Sequence, residues 1–175
     1  MREPDPALVR RARDGDDDAF TELVRDLRGP VVHYLGHLVH DRTLAEDVAQ
    51  ETFVRCHRNL DRYEFEGRFT TWLVQIARNA GIDAMRARDR HVRLARRAPP
   101  PQPPADPQLR AEIRMALASL PSRQREPLLL VEVAGLTYDE AAEVLRIPAG
   151  TVKSRVFAAR RRLARWLDVD ESREV

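Results

Sequence analysis

Cationic, polar and aromatic side chains gather on one face of a segment near the C-terminus, where their chemistry suits contact with DNA. At about 100° per residue, one side of a helix there carries Lys153, Ser154, Phe157, Ala158, Arg161 and Arg165. Cations bind phosphate oxygens, and an exposed ring suits apolar contact with a thymine methyl group or a sugar. The alternative is a ring packed on a neighbouring helix beside a solvated, charged face.

A helix-turn-helix over residues 135–157 would position this face. Thr137 and Glu140 have the spacing of a capping box, which starts a first helix, and Pro148 and Gly150 then interrupt the pattern and predict the turn. On the second helix, one apolar stripe is expected to be buried and to turn the cationic face outward, toward a major groove. The stripe consists of Val152, Val156, Ala159 and Leu163.

An acidic helix is predicted at Thr43–Asn59, where Thr43 and Glu46 form a second capping box. Its buried side is expected to hold Ala45, Val48, Ala49, Thr52, Phe53 and Cys56. Its opposite side carries Asp47, Gln50, Glu51 and Val54. An apolar residue within an acidic face is typical of a protein interface, although a solvated face with one exposed valine is the alternative.

The composition of the chain excludes several classes of protein. The chain has 175 residues, of which 43% are hydrophobic, so it can bury a core. Its net charge is only +2, yet cations cluster at 86–97 and 153–165, which indicates two contacts with phosphate. The single cysteine, Cys56, excludes a disulfide framework and a cysteine zinc site. No stretch is long and apolar enough for a membrane span or a signal peptide, so we expect a cytoplasmic protein without membrane insertion.

Prolines divide the chain, since six of the twelve lie between Pro99 and Pro107. Such a stretch excludes a helix or a central strand and predicts a semi-rigid spacer. Apolar spacing is helical on both sides, so the fold class is all-α, with two small helical domains joined by a proline-rich linker. We place the domains at 1–90 and 108–175 and the linker at 91–107. The remaining helices are expected from Asp16 to Arg28, from Pro30 onward, and at 70–88, 108–120 and 122–134.

Four motifs occur in an order typical of one protein family. They are Asp47–Phe53, Phe69–Asp83, Leu120–Glu126 and Gly135–Ala142. From about Leu8 to Leu167 the chain resembles the extracytoplasmic-function sigma factors, the smallest members of the housekeeping-type bacterial sigma family. The resemblance implies a transcription initiation factor that directs core RNA polymerase to promoters and is not itself an enzyme.

The resemblance also implies a role for each motif. The acidic face would dock on the clamp helices of the largest polymerase subunit through Asp47, Gln50, Glu51 and Val54. The minus-ten promoter element would be read as melted single strand, and Asn79 would line the pocket for a flipped-out base. The residues implied at this element are Tyr63, Phe65, Asn79, Asp83, Arg86 and Arg88. The minus-thirty-five element would be read as duplex by Thr151, Lys153, Ser154, Arg155, Phe157 and Arg161. The implied partners are core polymerase, promoter DNA and, for many members, an anti-sigma factor; no cofactor or metal is implied.

Some positions depart from the family pattern. Gln75 and Ile76 stand where housekeeping members have two tryptophans, as expected for the extracytoplasmic-function group. The loop 63–69 differs from the common family sequence, which leaves the identity of the flipped base open. Ala158 stands where many relatives have a basic residue, so one phosphate or base contact is expected to be missing.

Other readings of the chain remain at this stage. A conventional helix-turn-helix regulator would bind a palindrome as a dimer, but it would not account for the acidic face. Catalysis is not expected, because the sequence has no phosphate-binding glycine loop and no nucleophile elbow. His33, His37 and His40 lie on one helical face with spacing that permits a metal site, although we expect an exposed row without metal.

Overall fold

A computed structural model describes residues 1–64, 66–94 and 109–171. These residues form two compact units, one on each side of the gap at 95–108. Within the described ranges the regular elements are eight α-helices and one 3₁₀ turn, with no strand. The prediction of an all-α fold with two helical domains is confirmed.

The first unit is built around one long helix. Its elements are α1 (Pro6–Arg13), α2 (Asp17–Val39), α3 (Arg42–Asn59), a 3₁₀ turn (Leu60–Arg62) and α4 (Phe69–Leu94). Helices α1, α3 and α4 all pack against α2, and α3 also packs against α4. The largest side chains in this core are buried almost completely: Leu23, Tyr34, Leu35, Leu38 and Leu73.

Helix α2 continues through Pro30, so the predicted start of a new helix at this residue is wrong. An interior proline costs about 3 kcal/mol, because it removes one backbone hydrogen bond and crowds the preceding turn. The buried stripe of α2 passes without interruption through Leu27, Val31 and Tyr34. Burying such side chains stabilises by about 1.5–3 kcal/mol each, which outweighs the cost of the proline.

Helix termini in the first unit differ from the prediction in three places. Asp41, not Thr43, caps α3 by accepting a hydrogen bond from Leu44 N at 3.0 Å. Glu46 instead pairs with Arg42 at 3.3 Å, so the predicted capping box is wrong. Helix α1, capped by Asp5, was not predicted. Helix α4 runs to Leu94, so residues 91–94 of the predicted linker are helical; the rest of that linker lies outside the described residues.

The second unit contains α5 (Leu109–Ala118), α6 (Ser122–Glu132), α7 (Tyr138–Leu145) and α8 (Ala149–Glu171). The capping box of α7 is confirmed, since Thr137 N donates to Glu140 Oε2 at 2.7 Å and Glu140 N donates to Thr137 Oγ1 at 3.2 Å. The turn is made by Arg146, whose φ of 54° is left-handed. Gly150 lies inside the first turn of α8 rather than in the connection.

Helix α4 approaches α2 closely at Gly81. A Cβ atom built on Gly81 would lie 2.9 Å from Leu38 Cδ2 and 3.3 Å from Leu35 Cδ2. Both leucines are buried, so they have little room to move. A glycine at this position therefore permits the close packing that orients α4.

Gly81→Ala is expected to lower the free energy of unfolding, measured by urea titration. Overpacking a tight core costs about 1–3 kcal/mol, which outweighs the gain of about 1 kcal/mol from replacing a helical glycine. Gly36→Ala is the matched control, because Gly36 is also helical and has nothing within 4 Å of the added Cβ. The control is expected to raise stability, and the same sign for both variants would contradict the packing argument.

Candidate functional site

Helix α3 turns its acidic face toward a groove that it forms with α2. The groove has a volume of about 520 Å³, and its lining includes Phe20 and Val24 of α2 with Asp47, Gln50 and Val54 of α3. Val54 is 37% exposed, whereas the apolar residues on the other side of α3 are buried. Three of the four predicted docking residues therefore line one partly apolar groove, whose charged lining also includes Glu46, Arg28 and Arg58.

Glu51, the fourth docking residue, is held by an arginine that the sequence analysis did not identify. Arg55 Nε lies 2.8 Å from Glu51 Oε1, and Arg55 Nη1 lies 3.3 Å from Asp83 Oδ2 on α4. The hydrogen bond to Glu51 raises the pKa of the Arg55 guanidinium, and the bond to Asp83 adds to this. The spacing of four from Glu51 to Arg55 could have suggested the first pair, but nothing local indicates the second.

The segment that precedes α4 is fixed by an aromatic cluster. The ring centroid of Tyr63 lies 5.4 Å from that of Phe69 and 5.2 Å from that of Trp72. The Tyr63 hydroxyl donates to the Gly67 carbonyl at 2.8 Å, and burial raises the pKa of this hydroxyl. With 8% of its surface exposed, Tyr63 holds the segment in place and offers no open face to a base. Phe65 lies outside the described residues.

Helix α4 presents a polar stripe to solvent. Asn79, Asp83 and Arg86 are exposed at spacings of four and three, and Arg90 continues the stripe. Arg88 lies about 180° around the helix from Asn79, so the structure does not bring it to this stripe. Its guanidinium instead lies 3.3 Å from Asp41, the residue that caps α3. The stripe therefore combines an amide, a carboxylate and two cations.

Helix α8 presents the predicted face with its aromatic ring outward. Phe157 is 63% exposed, so it does not pack on a neighbouring helix of its unit. The Arg161 guanidinium carbon lies 5.9 Å from the ring centroid. Lys153 and Ser154 are exposed on the same side, and the Ser154 hydroxyl donates to the Thr151 carbonyl at 3.0 Å. Thr151 is half-buried at the edge of this face, whereas Arg155 lies about 160° around the helix from Phe157, so the structure does not bring Arg155 to the predicted face.

The side of α8 beneath this face packs against the rest of its unit. Val152, Val156 and Ala159 are buried, as the apolar stripe predicts, whereas Leu163, the fourth residue of the stripe, is only half-buried. An ion pair between Arg160 and Glu132 ties α8 to α6. Packing and charge pairing thus hold the exposed cations and Phe157 at defined positions on α8.

Other candidate chemistry finds little support. His33 and His37 contact each other edge to face with ring centroids 4.8 Å apart, and His40 takes a left-handed conformation as the C-cap of α2. Among the residues that the structure describes, no group of three or more His, Cys, Asp or Glu is arranged to hold a metal ion. Burial raises the pKa of Cys56 to about 12, so its thiol is not reactive in the folded protein.

Comparison with known proteins identifies both units. The Sigma-70 region 2 family model matches residues 23–91, and the Sigma-70 region 4 model matches residues 110–163. The chain is 32% identical to the RNA polymerase sigma-H factor of Pseudomonas aeruginosa, over 91% of each chain. It is 30% identical to the extracytoplasmic-function RNA polymerase sigma-E factor of Haemophilus influenzae, over 89% of this chain and 91% of that protein.

A solved structure agrees with these matches. The sigma factor RpoE of Bartonella quintana, crystallised in complex with the anti-sigma factor NepR, is 28% identical, with a TM-score of 0.76 over 86% of this chain and 98% of that one. The chain therefore belongs to the extracytoplasmic-function group of RNA polymerase sigma factors. Members of this family are transcription initiation factors and not enzymes. No helix in the described part of the chain has the length and apolarity needed to cross a bilayer.

Proposed function

We propose that this sigma factor binds core RNA polymerase through the α2–α3 groove and reads promoters at two elements, the minus-ten element as melted single strand and the minus-thirty-five element as duplex. The protein would act in the cytoplasm, where transcription takes place. One observation carries the proposal: the first unit holds a partly apolar groove beside the acidic face of α3, and a polar stripe on α4 whose Asp83 shares Arg55 with Glu51 of that face. A protein that only binds duplex DNA through α8 needs neither.

The groove suits a basic helical partner with an apolar contact. Asp47 and Gln50 offer oxygen acceptors to arginines, while Val54, Phe20 and Val24 supply apolar surface at the centre. Glu51 lies at the edge of this surface and is already paired with Arg55. Docking would then bring a second cation to Glu51 and add a partner to an existing ion pair.

The stripe on α4 suits single-stranded DNA. Extruding a base from a stack costs a few kcal/mol, which hydrogen bonds to the base edge offset. Asn79 has an amide that can both donate and accept, and Arg86 and Arg90 can hold phosphates on the same side. Tyr63 would act indirectly, by fixing the segment before α4, and Arg88 would act at most from the opposite side of the helix.

The face of α8 suits duplex DNA. Lys153 and Arg161 can contact phosphates or base edges, and the exposed ring of Phe157 can contact a thymine methyl group. A conventional regulator would use the same face as a dimer on a palindrome, without polymerase. The groove on α3 favours the sigma mechanism over this rival. An anti-sigma factor is a further partner that the Bartonella quintana complex makes plausible for this chain.

Asp47→Arg together with Glu51→Arg is expected to weaken binding to core polymerase by at least about tenfold, because cations would then face the arginines expected on the clamp. The measurement is affinity for core polymerase, with helicity and melting temperature recorded for each variant. Asp47→Arg alone is the cleaner variant, since Glu51 also binds Arg55 within the chain.

The control for charge reversal is Asp18→Arg with Asp26→Arg, which changes the net charge equally on the opposite side of α2 from Phe20 and Val24. It is expected to leave polymerase binding intact. Undiminished co-purification of the docking variant with core polymerase would remove the groove from the interface.

Asn79→Ala is expected to reduce open-complex formation at some minus-ten sequences and to spare binding to minus-thirty-five duplex. The measurement is permanganate reactivity of the melted strand across a set of minus-ten variants. Asp89→Ala, an exposed residue of α4 off the stripe, is the control. Equal loss at every minus-ten sequence would count against a base-specific role for Asn79.

Lys153→Ala is expected to weaken binding to minus-thirty-five duplex and to lower the salt dependence of that binding by about one unit of slope, because one phosphate contact is lost. The affinity of the holoenzyme for minus-thirty-five duplex is measured across a series of salt concentrations. Arg25→Ala removes one exposed cation from the other unit and is expected to leave the slope unchanged. A wild-type slope for Lys153→Ala would show that this side chain does not contact phosphate.

A further inference from the structure

The start of α4 is capped by a residue from the beginning of the chain. Phe69 N donates to Glu3 Oε1 at 2.5 Å, and Thr70 N donates to Glu3 Oε2 at 3.2 Å. The Thr70 hydroxyl donates to the same Oε2 at 2.5 Å, and Arg68 Nε lies 3.3 Å from it. One carboxylate thus accepts three hydrogen bonds and an ion pair at a single helix terminus.

The N-terminus of α4 needs a hydrogen-bond acceptor from outside the helix. The first backbone N–H groups of a helix have no partner within the helix, and the helix dipole favours a negative charge there. Arg68 precedes the helix, and its side chain can only donate. Thr70 is fully buried and Phe69 nearly so, which leaves water little access to their N–H groups. Glu3 supplies the missing acceptor.

The capped junction is also where the segment 63–68 enters α4. Tyr63 packs on Phe69, one of the two residues whose N–H groups Glu3 binds. Arg68, the last residue of the segment, is paired with Glu3. The Glu3 carboxylate therefore holds Arg68 and the helix start in one arrangement. Helix α1, which follows Glu3 in the chain, also contacts the 3₁₀ turn before Tyr63.

We propose that Glu3 is a positioning residue for minus-ten recognition, and that the residues preceding α1 form part of the reader although they contact no DNA themselves. The inference rests on the proposed role of segment 63–69 and α4 at the minus-ten element. Loss of the carboxylate would loosen the junction, so that several arrangements of the segment become populated. Discrimination among minus-ten sequences would fall, because each arrangement fits a different base or none.

Three variants test this assignment. Glu3→Gln removes the charge and keeps one acceptor, whereas Glu3→Ala removes both. Asp5→Asn is the matched control, because it removes one charge from the same stretch of chain, where Asp5 caps α1 through Ala7 N at 2.8 Å. Hydrogen exchange of the Phe69 and Thr70 amides reports on the cap directly. It is expected to accelerate by about threefold or more in Glu3→Ala, by less in Glu3→Gln, and not in Asp5→Asn.

Function is measured with holoenzyme on a promoter library randomised at the minus-ten element and constant at the minus-thirty-five element. The ratio of transcripts from preferred and poor minus-ten sequences is expected to fall by about threefold or more in Glu3→Ala, in step with the loosened cap. Affinity for core polymerase and for minus-thirty-five duplex is expected to stay at the wild-type value. If the cap acted only on stability, the discrimination ratio and both affinities would fall together.

The outcomes separate this inference from the proposed function. Wild-type discrimination by Glu3→Ala, with altered discrimination by Asn79→Ala, would overturn the role of Glu3 and leave minus-ten reading by α4 in place. Wild-type discrimination by both variants would overturn both. Equal losses in Glu3→Ala and Asp5→Asn would assign the effect to the charge of the N-terminal stretch, and the positioning role would be wrong.

Discussion

Burial of one stripe on each of α3 and α4 against α2 decides which side chains stay in water. On α3 the buried stripe includes Ala49 and Cys56, so Asp47 and Gln50 must face the groove. On α4, Leu73 and Ala77 are buried and Gly81 permits close approach, which leaves Asn79 exposed. Burial of apolar side chains stabilises this packing of the helices. The packing in turn orients exposed polar groups, which themselves contribute little to stability.

Arg55 connects the acidic face of α3 and the polar stripe of α4 through two ion pairs. Its guanidinium spans Glu51 on the docking side and Asp83 on the stripe of α4. Exposed ion pairs of this kind contribute little to stability, at roughly 0–1 kcal/mol, but they respond readily to new charges. A cation that approaches Glu51, or a phosphate that approaches Asp83, would change the balance at the shared arginine.

Sequence reasoning succeeded for several local contacts, although the local capping box predicted at Thr43 and Glu46 is wrong because Asp41 caps α3. The capping box of Thr137 and Glu140 and the stripe through Val152 and Val156 depend on residues three or four apart, and both were predicted. The family motifs likewise indicated the sigma family, which the matches to the Sigma-70 region 2 and region 4 models confirm. Continuation of α2 through Pro30 could not be read from local rules, because tertiary packing outweighs the cost of the proline.

The contacts that sequence reasoning missed join distant parts of the chain. Glu3 caps a helix that begins at Phe69, and Asp41 holds Arg88. The family resemblance implied that Tyr63 lies at the DNA, but its partners Phe69 and Trp72 bury it. The spacing of apolar residues shows which face of a helix is buried. It does not show which distant side chain accepts the free N–H groups at the start of a helix.

The charge distribution explains why the two proposed DNA contacts would act together with the proposed docking groove. The chain has 30 lysines and arginines and 28 aspartates and glutamates, so its net charge of +2 offers little general attraction to DNA. Each cationic face is small, and salt weakens such phosphate contacts steeply. In the proposed complex, polymerase bound at the α2–α3 groove would hold the protein near the promoter. Each DNA face would then add its contacts at high effective concentration, so weak separate contacts can give a specific complex.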